Sequence, residues 1–170
     1  MFETKSLAFA SAVDADIESI MRIENDPENR NFVWQGTREE HQAEILDPEI
    51  YLLVARKKGS EPIVGHVLLH VDNHSEVLEF RRMAITEKGR GYGWETCSGV
   101  LRFAFETLRM NRVWLDVYPD NAVGISLYEK LGMHLDGELR QSYKSERGFL
   151  NQRVYSMLKS EYATLKDRLR

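Results

Sequence analysis

The run Glu87-Lys88-Gly89-Arg90-Gly91-Tyr92-Gly93-Trp94 sets three glycines at alternate positions beside two cations. Lacking Cβ atoms, such a backbone turns sharply and comes within hydrogen-bonding distance of a ligand. At a helix start its free amides point outward, carrying about half a positive elementary charge. An anion belongs there, and mobile charge on Lys88 and Arg90 suits the two phosphates of a pyrophosphate better than a single carboxylate. The spacing is neither the Gly-x-Gly-x-x-Gly dinucleotide fingerprint nor a Walker loop, since no Gly-Lys-Ser or Gly-Lys-Thr follows. Taken alone, the glycines fit a ligand-free strand-to-helix connection equally well.

A second segment weighs toward the ligand. Asn121, Gly124 and Tyr128 stand three and four residues apart, so a helix carries them on one side. A glycine inside a helix costs about 1 kcal/mol relative to Ala, and close approach of a cofactor arm is one reason for it. Asn121 also suits an ordinary N-cap, which leaves a ligand contact open, and Tyr128 suits a half-buried aromatic.

Hydrophobic periodicity supplies the elements that position these residues. A first strand is expected over residues 6–12, then a helix capped by Asp14 with Ile17, Ile20, Met21 and Ile23 on one apolar face. Thr37-Arg38-Glu39-Glu40 has capping-box spacing, and a short helix to about Leu46 follows. Residues 51–56, 63–71 and 77–85, with turn residues at Gly59-Ser60 and Asp72-Asn73, read as an antiparallel meander. After Gly93 the stripe Trp94, Cys97, Val100, Leu101, Ala104, Phe105 and Leu108 is helical. A strand over 112–118 precedes a helix begun by Pro119-Asp120-Asn121 and ended by Gly132. Two strands within 143–158 turn at Arg147-Gly148, and a charged surface helix spans 159–170. The helix between Ile85 and Arg112 is too long for a hairpin, so its flanking strands run parallel, and that pair is where a ligand most naturally sits.

Length and composition narrow the function. A chain of 170 residues is the size of one domain, and we take 1–170 as a single unit burying roughly 70% of its unfolded surface. A net charge of −4 offers no general attraction to nucleic acid or an anionic membrane, and a cationic substrate is tolerated. The one cysteine, Cys97, lies in an apolar helical pattern and reads as a small core residue. No stretch approaches the ~18 apolar residues of a spanning helix, and the N-terminus lacks a signal pattern, so a cytoplasmic location is expected. The five histidines, His41, His66, His70, His74 and His134, show no recognised ligand spacing, and no metal is expected.

With both motifs in view, the chain resembles the GNAT superfamily of acyl-CoA N-acyltransferases. The family's Gln/Arg-x-x-Gly-x-Gly/Ala turn matches Lys88 through Gly93, with Lys88 keeping charge but losing the planar donor fork. Its Asn-x-x-Ala-x-x-Leu-Tyr-Glu-Lys-x-Gly-Phe segment matches residues 121–133, with Gly124 for Ala and Met133 for Phe. The likeness runs from about Val64 to Leu158. Leu78-Glu79-Phe80 and the segment from Gly132 to Leu158 look like the branch that acts on ribosomal-protein N-termini or polyamines. The resemblance implies an α/β fold with a mixed, mostly antiparallel sheet of about seven strands, one parallel pair opening a cofactor cleft. It implies acetyl-CoA as donor, with Met83, Ala84, Ile85, Lys88, Gly89, Arg90, Gly91, Tyr92, Gly93, Asn121, Ser126, Tyr128 and Lys130 around it. Backbone groups of Met83 and Ile85 are implied to hold the pantetheine arm as an added strand.

Transfer to an amine needs the neutral amine, yet a lysine-like amine of pKa ~10.4 is deprotonated only about once in 2,500 molecules at pH 7, worth roughly 4.6 kcal/mol of barrier. Glu79 is the first candidate base, sharing a face with Arg81, Met83 and Ile85 by strand alternation. A carboxylate merely paired with an arginine is its alternative, and Asp116 is held in reserve. Tyr128 is the candidate proton donor to the departing thiolate. Trp34, Glu39, Glu40 and Tyr143 are expected around the acceptor, a small amine or a protein N-terminus. A homodimer is compatible with all this. An acyl-CoA-binding regulatory module without turnover is the rival from another class.

Overall fold

The computed structural model describes residues 1–169; Arg170, the end of the expected closing helix, lies outside them. Eight strands form one sheet: β1 (Phe2–Glu3), β2 (Leu7–Ser11), β3 (Ile50–Lys57), β4 (Ile63–Asp72), β5 (Val77–Ile85), β6 (Arg112–Val117), β7 (His134–Ser145) and β8 (Gly148–Leu158). Their order is β1-β2-β3-β4-β5-β6-β8-β7, and every neighbouring pair is antiparallel except β5 with β6. The count exceeds the expected seven by the short β1. Strand β7 begins at His134, well before the expected Tyr143, because it is exposed along nearly its whole length and so carries no alternation to read.

Helices cover both faces. Helix α1 (Ile17–Glu24) and α2 (Arg38–Leu46) pack on one side over Ala12, Leu52, Val54 and Leu68. Helices α3 (Tyr92–Arg102), α4 (Ala122–Leu131) and α5 (Lys159–Leu165) close the larger core on the other, where Val100, Leu101, Leu131 and Tyr162 meet Leu78, Val113 and Met157. The closing helix is thus anchored rather than superficial, with Tyr162 stacked on Phe105 at 4.8 Å and donating to Glu106 at 2.8 Å. Thr37 makes the expected capping box with Glu40. Ahead of α1 the cap belongs to Asp16, which accepts from Val13 N at 3.0 Å, while Asp14 is drawn to Arg38 and Gln42.

Two departures from regular pairing position the site. First, β5 pairs with β6 over only Val77 to Glu79, opposite Arg112 to Trp114, although β6 continues against β8 to Val117. Second, β5 carries an extra residue: Leu69 faces Phe80 and Leu68 faces Arg82, leaving Arg81 as a bulge. The bulge shifts the alternation by one. Glu79, Arg82 and Ala84 therefore share the α1/α2 face opposite His70, Leu68 and His66, whereas Phe80 and Met83 face the α3 core. The expected common face of Glu79 with Met83 and Ile85 does not form, because simple period-two alternation fails across a bulge.

Gly65 lies opposite Ile85 on β4, and a Cβ there would stand 2.7 Å from the Ala84 carbonyl oxygen and 2.4 Å from Ile85 Cδ1. A backbone carbonyl cannot swing aside as a flexible side chain can. Gly65→Ala should destabilise the protein by about 1–3 kcal/mol, read as a lower denaturation midpoint at unchanged slope.

Candidate active site

Where β5 and β6 part, a cavity of about 810 Å³ opens between Phe80–Ile85 on one side and Asp116–Tyr118 on the other. One end is bordered by Lys88, Gly89, Gly91, Tyr92 and Gly93, the floor by Met83, Ile85, Leu127 and Tyr128, and the other end by Trp34, Arg82, Asp116, Tyr118, Tyr143 and Gln152. The helix carrying Asn121 to Gly124 forms a further wall. Of the residues expected around the donor, Met83, Ile85, Lys88, Gly89, Gly91, Tyr92, Gly93, Asn121 and Tyr128 line this cavity, while Ala84, Arg90, Ser126 and Lys130 do not. Ala84 points to the opposite face because of the bulge. Of the expected acceptor residues, Trp34 and Tyr143 line it. Glu39 and Glu40 do not: both stand exposed in the first turn of α2, where Glu40 closes the Thr37 capping box.

The three glycines of the turn are not equivalent. Gly89 and Gly91 have φ of +72° and +80°, and Gly91 is the left-handed N-cap of α3. Gly93 is an ordinary helical residue, where a Cβ would meet only Leu127 at 3.5 Å. The first helix amide to find an intrahelical acceptor is Glu95 N, on Gly91 O at 3.1 Å, which leaves the preceding amides at the cavity end of α3 for a ligand. Lys88 donates to Asn29 Oδ1, and burial lowers its pKa. Asn29, itself buried, also donates to Ile85 O at 3.4 Å, tying the turn to the end of β5. Sequence reasoning missed Asn29, for nothing local marks a residue that acts 59 positions away.

Gly124 has a nearer reason for lacking a side chain than a cofactor arm. Asn121 caps α4 by accepting from Gly124 N at 2.9 Å, and its amide would lie 3.0–3.1 Å from a Cβ at Gly124. Tyr128 presents a hydroxyl with no protein hydrogen-bond partner among the described residues. Burial, then the neighbouring Cys97 and Asp116, raises its pKa well above the usual phenol range, so it stays protonated at neutral pH. Cys97 lies beneath Met83, Sγ to Sδ 3.8 Å, and burial pushes its thiol up to about 12, which fits an inert core residue.

The two candidate bases stand differently. Glu79 is absent from the cavity lining, and its Oε2 accepts from Arg81 Nε at 2.6 Å. Asp116 lines the cavity, accepts from the neutral Gln152 amide, and has its pKa raised by burial and by the Glu79 charge. Arg82 forms the wall opposite. Its guanidinium lies 4.5 Å from the Trp34 ring centre and reaches the fully buried Glu24 at 2.9 Å as well as Glu44. His41 completes this cluster, with Nε2 3.1 Å from Glu24 and Nδ1 2.8 Å from Glu44. His66 Nε2 lies 3.2 Å from Glu24 Oε1, and neither His66 ring nitrogen makes a well-directed hydrogen bond among the described residues.

The chain that carries these groups is similar to known proteins. Residues 7–134 match the family described as "Acetyltransferase (GNAT) domain". The L-amino acid N-acetyltransferase AaaT of Escherichia coli K12 is 30% identical over 130 residues, covering 72% of this chain and 79% of that protein. The uncharacterized N-acetyltransferase YoaA of Bacillus subtilis is 25% identical over 172 residues, covering 94% and 97%. Among solved structures, the spermidine N-acetyltransferase from Vibrio cholerae in complex with CoA and spermine superposes with a TM-score of 0.82 at 18% identity, over 93% of this chain and 98% of that one. The splayed parallel pair and the left-handed turn thus define an acyl-CoA transferase fold. The chain belongs to the GNAT acetyltransferase family. It is an enzyme that transfers the acetyl group of acetyl-CoA to an amine. Among the described residues, no helix is long and apolar enough to cross a membrane.

Two predictions follow from this geometry. Gly91→Ala forces a non-glycine residue into the left-handed region at a cost of about 1–2 kcal/mol, and should weaken coenzyme A binding about tenfold by calorimetry, whereas Gly93→Ala should bind within about twofold. The second concerns stability. Burial works against charge on His41, but its bonds to Glu24 and Glu44 prevail and raise it from 6.5 to about 9, so its contribution is complete below pH 6.5 and lost as pH rises through 9. Burial likewise opposes charge on Glu24 and Glu44, but His41 and the nearby cations prevail and depress both, so their contribution is complete above pH 4.5 and lost on acidification. Burial depresses His66, which therefore also favours unfolding below pH 6.5. The melting temperature should peak near pH 6.5 and fall on both sides, and His41→Gln should flatten the alkaline fall.

Proposed function

We propose that the 170 residues act as one domain that binds acetyl-CoA along the free edge of β5 and transfers its acetyl group directly to an amine entering past Trp34 and Tyr143. The observation that carries this reading is the early end of the β5–β6 pairing, which leaves two strand edges facing a cavity with the glycine turn at one end and Asp116 at the other. Amides at the start of α3, with Lys88, take the pyrophosphate, since they combine backbone donors with helix-end charge. The pantetheine arm adds to β5 beyond Glu79, where β6 no longer supplies a partner.

Asp116 is the base. It borders the cavity with no cation on it, and a raised pKa brings a carboxyl closer to that of the proton it must take. Glu79, neutralised by Arg81 and off the cavity wall, serves to keep Arg81 in place. Tyr128, protonated throughout the neutral range, gives its proton to the departing thiolate. A cytoplasmic location fits a buried, reduced Cys97 and a donor made inside cells. The relatives name different acceptors, L-amino acids for one and spermidine for another, so the amine needs an argument of its own.

Asp116→Asn should lower kcat/KM by about 10²–10³ at pH 7, with the deficit shrinking toward pH 10 as the amine deprotonates unaided. Tyr128→Phe should lower kcat by about 10² and leave the KM for acetyl-CoA within twofold. An unchanged rate for Asp116→Asn across that range would remove Asp116 from the mechanism.

A further inference from the structure

The cavity does not end at Tyr143. A second chamber of about 380 Å³ shares Val33, Trp34, Tyr118 and Tyr143 with it and continues outward. Its charged lining is Arg30, Lys144 and Arg147 against Glu146. Arg147 is held in place on three sides. It grips Asp120 at 2.5 Å, donates to the Asn31 carbonyl at 3.1 Å and lies 5.3 Å from the Tyr118 ring centre. Even counting Asp120, cations outnumber carboxylates there by three to two.

Around the acceptor end of the main cavity the balance of charge is equally specific. Glu24 and Glu44 are neutralised by Arg82 and His41, and Glu79 by Arg81. Glu28 and Glu87 lie at the opposite end beside Lys88, where Glu87 is paired with Lys57 at 2.7 Å. Asp120, also on the main cavity's wall, is paired with Arg147, so among the described residues at that end Asp116 is the carboxylate left with only a neutral partner. One free carboxylate accommodates one ammonium group, whereas a polyamine brings several cations, each losing hydration with no counter-charge. An outer chamber rich in cations repels the remaining ones.

From these two observations we propose that the acceptor carries one amine, directed at Asp116, and a carboxylate that sits among Arg30, Lys144 and Arg147; it is an amino-carboxylate and not a polyamine. The Tyr118–Tyr143 pair, 5.9 Å between ring centres, separates the two chambers. The amine and the carboxylate therefore sit in adjoining chambers, and a dipeptide, at about 3.3–3.6 Å per residue, is long enough to reach from one into the other. The same chemistry is offered by the C-terminus of a short peptide and by an acidic side chain near a protein's N-terminus. The inference rests on the proposed reading of Asp116 as the acceptor-side base.

The test is acetyl transfer, measured as CoA release, to dipeptides and their C-terminal amides, to C-terminally amidated hexapeptides with Glu or Gln at the second and third positions, and to spermidine. The free-acid dipeptide, the Glu hexapeptide or both should exceed the neutral counterpart at least tenfold in kcat/KM, with spermidine below all. Which pair shows the preference tells a small peptide from a protein terminus. Arg147→Ala, combined with Lys144→Ala, should raise KM for the favoured acid at least fivefold and leave the neutral counterpart unchanged. Equal rates for acid and neutral partners, or spermidine as the best acceptor, would overturn the proposal. Acetylation of none would overturn it too, and coenzyme A calorimetry would then show whether the donor site stands.

Discussion

The structure depends on how briefly β5 and β6 stay together. Three residue pairs suffice to fix the parallel alignment, and the strands then separate although each keeps its other neighbour, β4 and β8. Backbone groups in the middle of a sheet are normally paired, and leaving a wedge of them open carries a free-energy penalty unless something fills it. A ligand with amide groups of its own, running as an extra strand, restores those bonds. In the proposed reading the gap is where the donor binds, and binding stabilises the fold because the paired strand edges exist in the folded chain and not in the unfolded one.

The bulge at Arg81 sits just past the last paired residue and changes what each wall shows. Were Arg81 paired in regular alternation instead, the side chains that follow would exchange faces, and Arg82 would enter the α3 core in place of Met83. With it, Met83 lies over Cys97 as an apolar floor, and Arg82 turns to Glu24 and Glu44 under the first two helices. A buried group of two carboxylates, an arginine and two histidines is a doubtful source of stability, since desolvation offsets much of the attraction. Its value is geometric. Glu24 also accepts from Gly36 N at 3.1 Å, so α1, the loop carrying Trp34, α2, β4 and β5 all meet at one buried carboxylate. Trp34 and Arg82, which border the acceptor end, are set by that junction.

What the sequence made legible and what it hid divide along the same line. Glycine at φ near +80°, the Thr37 capping box, the Asn121 cap and the glycine after α4 are each dictated by neighbours within a few residues, and each is found where its pattern places it. The parallel pair could be read because a helical crossover leaves no alternative. The bulge could not, for it depends on the register against β4, and one added residue leaves no mark in a run as apolar as β5. The same holds for Glu24, His41, His66 and Arg82, which come from four elements. Glu79 was chosen by counting alternate positions along the strand, and the count failed at the residue where the strand ceases to be regular. Asp116, the fifth residue of a strand without a bulge, kept its phase.

In the proposed reading, specificity follows from charge already spent. Acidic residues are plentiful near the acceptor end, and their number alone would favour a cationic substrate. Most of them, however, face arginine or histidine within about 3 Å, and a paired carboxylate attracts a further cation only weakly. The field a substrate meets is set by the groups left over, Asp116 within and the cations of the outer chamber beyond. Two enzymes of this fold with similar acidic content can therefore prefer opposite substrates, depending on which carboxylates the protein's own arginines have claimed.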